Sequence, residues 1–170
     1  MKKLILIVVI MLSVFTSVFA KPADYSGNWL LNKEKSKDLP FFYDNVKSHK
    51  LTITQDEKTL DVAVEINDGR PELIKMGFIY NLNGTETTAE AKIHTPNGEI
   101  SVPTSLKAEP TENGEIKITI SREIPMPDGT FKGVTIENWK LSADGKTLTI
   151  HRADDNPRGK LEFDMVFVKS

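Results

Sequence analysis

Arg122 continues the alternation Ile116, Ile118, Ile120, and Arg152 continues Leu148, Ile150. Residues two apart in a strand share a face, so both guanidinium groups are expected on the side that their apolar neighbours bury. An arginine there is costly unless it is paired. Its planar fork fits a carboxylate through two parallel hydrogen bonds. Tyr80 has the same parity within Ile74–Leu82 and adds a hydroxyl donor. The chemistry these three residues support is capture of an anionic head group, not bond breaking. The competing reading is structural: both arginines stand near strand ends, where long side chains reach solvent while their stems stay apolar.

Bond-breaking chemistry finds no residues. There is no Cys, which removes thiolate nucleophiles and most structural zinc sites. His49, His94 and His151 are not spaced with another His, Asp or Glu for a metal. No nucleophile elbow, phosphate loop or dinucleotide fingerprint occurs. Carboxylates are numerous, yet no two are expected to face one cleft, and the run His151–Asp155 reads as part of a turn. The expectation is a protein that is not an enzyme, with no cofactor and no metal.

The elements that must position these side chains are strands. Leu51–Gln55 and Leu60–Ile66 alternate around an acidic turn. Ile74–Leu82 alternates next and ends in Asn83-Gly84, a strong hairpin signal that should fold it onto Thr87–Ile93. Ile100–Val102, Ile116–Ile124, Val134–Ile136, Trp139–Leu141, Leu148–Arg152 and Leu161–Phe167 complete the series. The apolar parity switches between Ile136 and Trp139, which predicts a β-bulge. Nine or ten short strands with Gly, Asn, Asp and Pro turns predict an all-β fold. Its expected form is an antiparallel up-and-down β-barrel of 8–10 strands, since closure removes exposed edges.

Residues 1–20 differ from the rest. Lys2 and Lys3 precede an uncharged apolar run that ends Val18-Phe19-Ala20. This pattern predicts a secretory signal peptide cleaved after Ala20, a secreted or periplasmic product and one domain over residues 21–170. No stable membrane insertion is expected after cleavage. The whole chain of 170 residues has a formal net charge of −2, and without Lys2 and Lys3 there are 20 basic against 24 acidic residues. Bulk charge therefore offers nothing to nucleic acid or an anionic surface.

The stretch "YSGNWLLNKEKSK", with Gly27 two residues before Trp29, resembles the first strand of lipocalins in the calycin superfamily. Together with "WKLSADGKTLTIHR", which opens on Trp139, it is similar to small bacterial secreted lipocalin-like domains. The strand pattern extends the resemblance over most of residues 21–170. A Thr-Asp-Tyr loop motif is missing, and the chain ends in a strand where animal lipocalins add a helix. The resemblance implies a closed barrel around a cavity for a small apolar or amphipathic molecule, such as a fatty acid or lipid. It also implies that Trp29 plugs the closed end, that Gly27 permits a close approach, and that one of the arginines covers Trp29.

Within such a barrel, Ala89 and Ala91 face inward where other strands place large side chains. They either leave volume for a ligand or pack against bulky neighbours. Phe41 and Phe42, in the long connection after the first strand, either cover the mouth or cap the core. The expected function is non-enzymatic binding of that molecule, with Phe41, Phe42, Tyr80, Ala89, Ala91, Arg122 and Arg152 as contacts. The alternative is a filled barrel serving as a structural or protein-interaction module of the cell envelope. Oligomeric state does not follow from the sequence.

Overall fold

A computed structural model describes residues 23–95, 98–127, 129–156 and 159–170. The expected leader, residues 1–20, lies outside the described residues. Ten strands form one antiparallel sheet. They are β1 (Gly27–Leu31), β2 (Ser48–Gln55), β3 (Thr59–Asn67), β4 (Ile74–Asn81), β5 (Thr87–Thr95), β6 (Gly98–Pro110), β7 (Ile116–Met126), β8 (Gly129–Leu141), β9 (Thr147–Asn156) and β10 (Gly159–Lys169). Each pairs with its sequence neighbour except β4 with β5, and β10 returns to pair with β1, Trp29 opposite Lys169. The result is the expected up-and-down barrel, closed everywhere but along one seam.

That seam corrects the Asn83-Gly84 hairpin. Gly84 does adopt φ +78°, but the turn does not propagate a ladder. The Leu82 amide donates to Lys58 O, extending the β3–β4 ladder, and the Thr85 amide donates to the Asn83 side chain. Thr87 Oγ1 donates to Ile79 O at 2.9 Å, and β5 takes its ladder from β6 alone.

Alternation places one face of every strand inside. In β2 and β3, Leu51, Ile53, Leu60 and Val62 are buried while Thr52, Thr54 and Asp61 are exposed. Each such residue contributes about 1.5–3 kcal/mol by leaving water. Tyr25, Trp29 and Trp139 close one end. Trp29 Nε1 donates to Tyr25 O at 2.9 Å, and the Tyr25 hydroxyl donates to Trp139 O at 2.9 Å. The Tyr25 and Trp139 rings meet edge-on at 6.0 Å. The cation over Trp29 is Lys169, with Nζ 5.2 Å from the ring centroid, and neither arginine takes that place. Gly27 makes room for it. A Cβ there would stand 2.6 Å from Lys169 Cε, and the backbone at φ +141° disfavours any other residue.

The predicted bulge is absent. β7 and β8 pair without interruption from Ile116–Trp139 to Met126–Gly129. Val134 and Ile136 therefore face outward, and Thr135 and Glu137 are the buried ones. Polar side chains displace apolar ones from the inner face because they find partners there.

Candidate functional site: a polar cluster inside the barrel

Arg152 lies opposite Glu137 in the β8–β9 ladder and opposite Phe163 in the β9–β10 ladder, both on the inner face. Its Nη1 donates to Glu137 Oε1 at 3.0 Å and its Nε to Asp154 Oδ2 at 3.0 Å. The remaining carboxylate oxygens are also bound. Trp139 Nε1 donates to Glu137 Oε2 at 2.8 Å, and Thr135 Oγ1 to Asp154 Oδ1 at 2.5 Å. Burial alone would lower the Arg152 pKa. The charges of Glu137 and Asp154 outweigh it and raise the value. Arg152 is thus a paired structural ion, its Nε and Nη1 engaged by Asp154 and Glu137.

His151–Asp155 is not a turn, since β9 runs through to Asn156. Alternation sends Arg152 and Asp154 inward and His151 outward. There His151 Nδ1 meets Asp164 at 2.7 Å and Nε2 meets Glu162 at 3.2 Å. Two carboxylates do converge in the interior, Glu137 and Asp154, contrary to the sequence reading. The bulge had turned Glu137 outward, and the supposed turn had removed Asp154 from a strand. The signal that could have found them is Glu137 alternating with Thr135 and Trp139, the one phase that needs no bulge.

Arg122 is different. It faces inward from β7 between Thr104 of β6 and Gly133 of β8, and Ala89 follows in the same row on β5. These are small side chains, and the Ile124 side chain packs over Gly133, 3.2 Å from where a Cβ would stand. A Cβ on Gly133 would sit 3.7 Å from Arg122 Cγ. Arg122 is half-buried, and among the described residues it makes no hydrogen bond or ion pair. Burial first, and then the charge of Arg152, lower its pKa, while Asp154 and Tyr80 offset part of that. Tyr80, on β4 opposite Leu60, is buried and packs at a tilt against Phe78. Its hydroxyl has no hydrogen-bond partner among the described residues. Among the described residues only Thr111 Oγ1 is both sealed from water and without a partner, so the unpartnered Tyr80 hydroxyl is not sealed. It therefore borders accessible space. Burial raises the Tyr80 pKa strongly, so the group stays a donor.

The β1–β2 connection adds residues that the sequence reading passed over. A 3₁₀ turn at Phe41–Tyr43 sends Tyr43 into the barrel, where its hydroxyl donates to Met165 Sδ at 3.1 Å and lies 3.4 Å from His49 Nδ1. Burial pushes the Tyr43 pKa up to about 12 and the His49 pKa down to about 4, the latter helped by Arg152. Phe41 and Phe42 point the other way, 82% and 48% exposed. They stand at the end remote from Trp29 and do not line the interior.

Ala89 and Ala91 face inward as expected, opposite Thr104 and Val102, but on the strand that borders the seam. The structure therefore brings Arg122, Ala89 and the Arg152 cluster together. Tyr80 lies within electrostatic reach of both arginines, and Phe41 and Phe42 stand outside. A separate pocket of 430 Å³ lies on the outer wall, lined by Val134, Ile136, Ala153, Lys160 and Glu162 with Asp154, Asp155 and Leu161. Apart from Asp154 it shares no residue with the interior cluster. No family model, no curated protein and no solved structure matches the chain.

Proposed function

We propose that this chain is a secreted or periplasmic, lipocalin-like carrier without enzymatic activity, which holds a small amphipathic molecule with an anionic head inside the barrel. The observation that supports this most is Arg122. It is an inward guanidinium flanked by Thr104 and Gly133, with no ion-pair partner among the described residues. A lone cation in that position is costly, and a ligand carboxylate removes the cost while gaining a bidentate contact. Tyr80 supplies a second donor from across the interior, and Leu106, Ile120 and Phe78 offer apolar surface to an alkyl chain. Arg152 enters only by holding the neighbouring carboxylates in place.

Calorimetric titration with dodecanoate and dodecanol tests the reading. The acid binds more tightly than the alcohol by about tenfold to a hundredfold, the worth of one charge-assisted contact. Arg122→Gln removes that preference. Equal affinity for both ligands, or an acid preference that survives in Arg122→Gln, contradicts the assignment. A second reading, the envelope interaction module, rests on the outer pocket, where Val134 and Ile136 leave apolar surface on the wall. Binding of neither alkyl ligand favours that module.

A further inference from the structure

Among the described residues, Leu30, Met76 and Ile79 are large apolar side chains exposed within β1 and β4, and the other five such side chains share one end. Phe41, Phe42, Leu73, Met126 and Leu161 all belong to connections or strand ends at the barrel end remote from Trp29. Among the described residues, the four turns at the opposite end expose no large apolar side chain. Those turns carry Asp56, Glu57, Glu86, Glu112 and Asp144 against Lys58 and Lys146. One end thus carries the exposed aromatic rings with its charges in balance, and the other is net acidic.

The apolar end is held in shape. Lys33 Nζ donates to the carbonyls of Tyr43, Asp44 and Val46 at 2.7, 3.3 and 3.3 Å. Tyr43 is rooted inside on Met165 and His49. With the turn pinned at both points, Phe41 and Phe42 are forced outward, their rings edge-on at 6.0 Å. Lys35, Lys37 and Lys47 are exposed on the same connection, and the exposed Glu34, Asp38 and Asp44 balance their charge.

We propose that this rim is a docking surface for a phospholipid bilayer, with Phe41 and Phe42 entering the interface between head groups and acyl chains. Phe41 and Phe42 project where a protein partner would need a matching socket, and a deformable lipid phase makes that socket for any projection. Aromatic rings and snorkelling lysines suit the interfacial layer. The acidic end then faces away from anionic head groups, so the bilayer's field orients the molecule although its net charge does not attract it.

The test reads depth at chosen positions and needs no ligand, so it is independent of the carrier reading. Trp reporters are introduced by Phe41→Trp and, at the exposed Ala143 of the opposite end, by Ala143→Trp. The protein is used as its host leaves it. Its emission is followed with vesicles of phosphatidylcholine and phosphatidylglycerol bearing brominated acyl chains, and the wild-type signal of the buried Trp29 and Trp139 is subtracted. The expected result is a blue shift and quenching for Phe41→Trp and neither for Ala143→Trp. An unchanged Phe41→Trp signal, or equal quenching at both positions, overturns the proposal. A blue shift that grows with protein concentration in the absence of vesicles also overturns it, assigning the rim to a second copy of this chain.

Discussion

Arg152 and Glu137 face each other across the β8–β9 ladder and meet at 3.0 Å inside the barrel, with the Glu137 side chain 8% exposed and that of Arg152 29% exposed. An ion pair this deep is costly to form and more costly to break, because the survivor stays buried without its partner. Asp154 and Trp139 extend the pair into a network with every carboxylate oxygen bound. Removing one member should therefore be felt through all of them.

Glu137→Ala is expected to cost about 2–3 kcal/mol, somewhat less than a fully isolated buried charge because Asp154 still holds Arg152. Urea unfolding followed by far-ultraviolet circular dichroism measures it. The double variant Glu137→Leu with Arg152→Met should recover most of the loss. A double variant as unstable as the single one would mean that the pair specifies the packing around it.

Arg122→Met is expected to do the opposite. With no partner to lose among the described residues, the unliganded barrel should be as stable as wild type or more so, by up to about 1 kcal/mol. A loss of about 2 kcal/mol or more in the same unfolding experiment would reveal a partner for Arg122 and remove the case for a head-group anchor.

His49 gives the pH dependence a definite window. Its folded pKa, about 4, lies below the ordinary 6.5. Above pH 6.5 it is neutral in both states and contributes nothing. As pH falls from 6.5 toward 4 the unfolded chain takes up the proton first, so stability declines, by about 3 kcal/mol at the end of that window. His49→Gln should flatten this part of the curve relative to wild type. Parallel curves between pH 6.5 and 4 would show that His49 is not buried neutral beside Tyr43 and Arg152.

Gly27→Ala should cost about 1–3 kcal/mol, since its backbone stands at φ +141° and its Cβ would strike Lys169. Adding Lys169→Ala relieves the contact but not the backbone strain, so only part of the loss should return. Full recovery in thermal unfolding would place the whole cost in the side chain.

Much of the fold was legible, and the reasons are local. Leu51, Ile53, Leu60 and Val62 announced their strands because each needs burial on one side only. Gly27 and Trp29 announced a close approach and a plug. Two errors came from reading pairing out of local chemistry. Asn83-Gly84 favours a tight turn, yet the Thr85 amide folds back on the Asn83 side chain and β5 takes its ladder from β6 alone, so no hairpin follows. Val134 and Ile136 are apolar, yet they face outward, because Glu137 and Thr135 on the other face find Arg152, Trp139 and Asp154. Phe41 and Phe42 were legible as unusual but not as outward-facing, since only Lys33 and Tyr43 set their direction.

The sequence by itself determined the alternating strands and their antiparallel order, because side-chain period and turn residues act over a few neighbouring positions. The tertiary structure alone decided where the wall stays open, which charges meet inside it and which arginine is left over. Those outcomes depend on register between strands, and a shift of one residue sends every side chain of a strand to the opposite face.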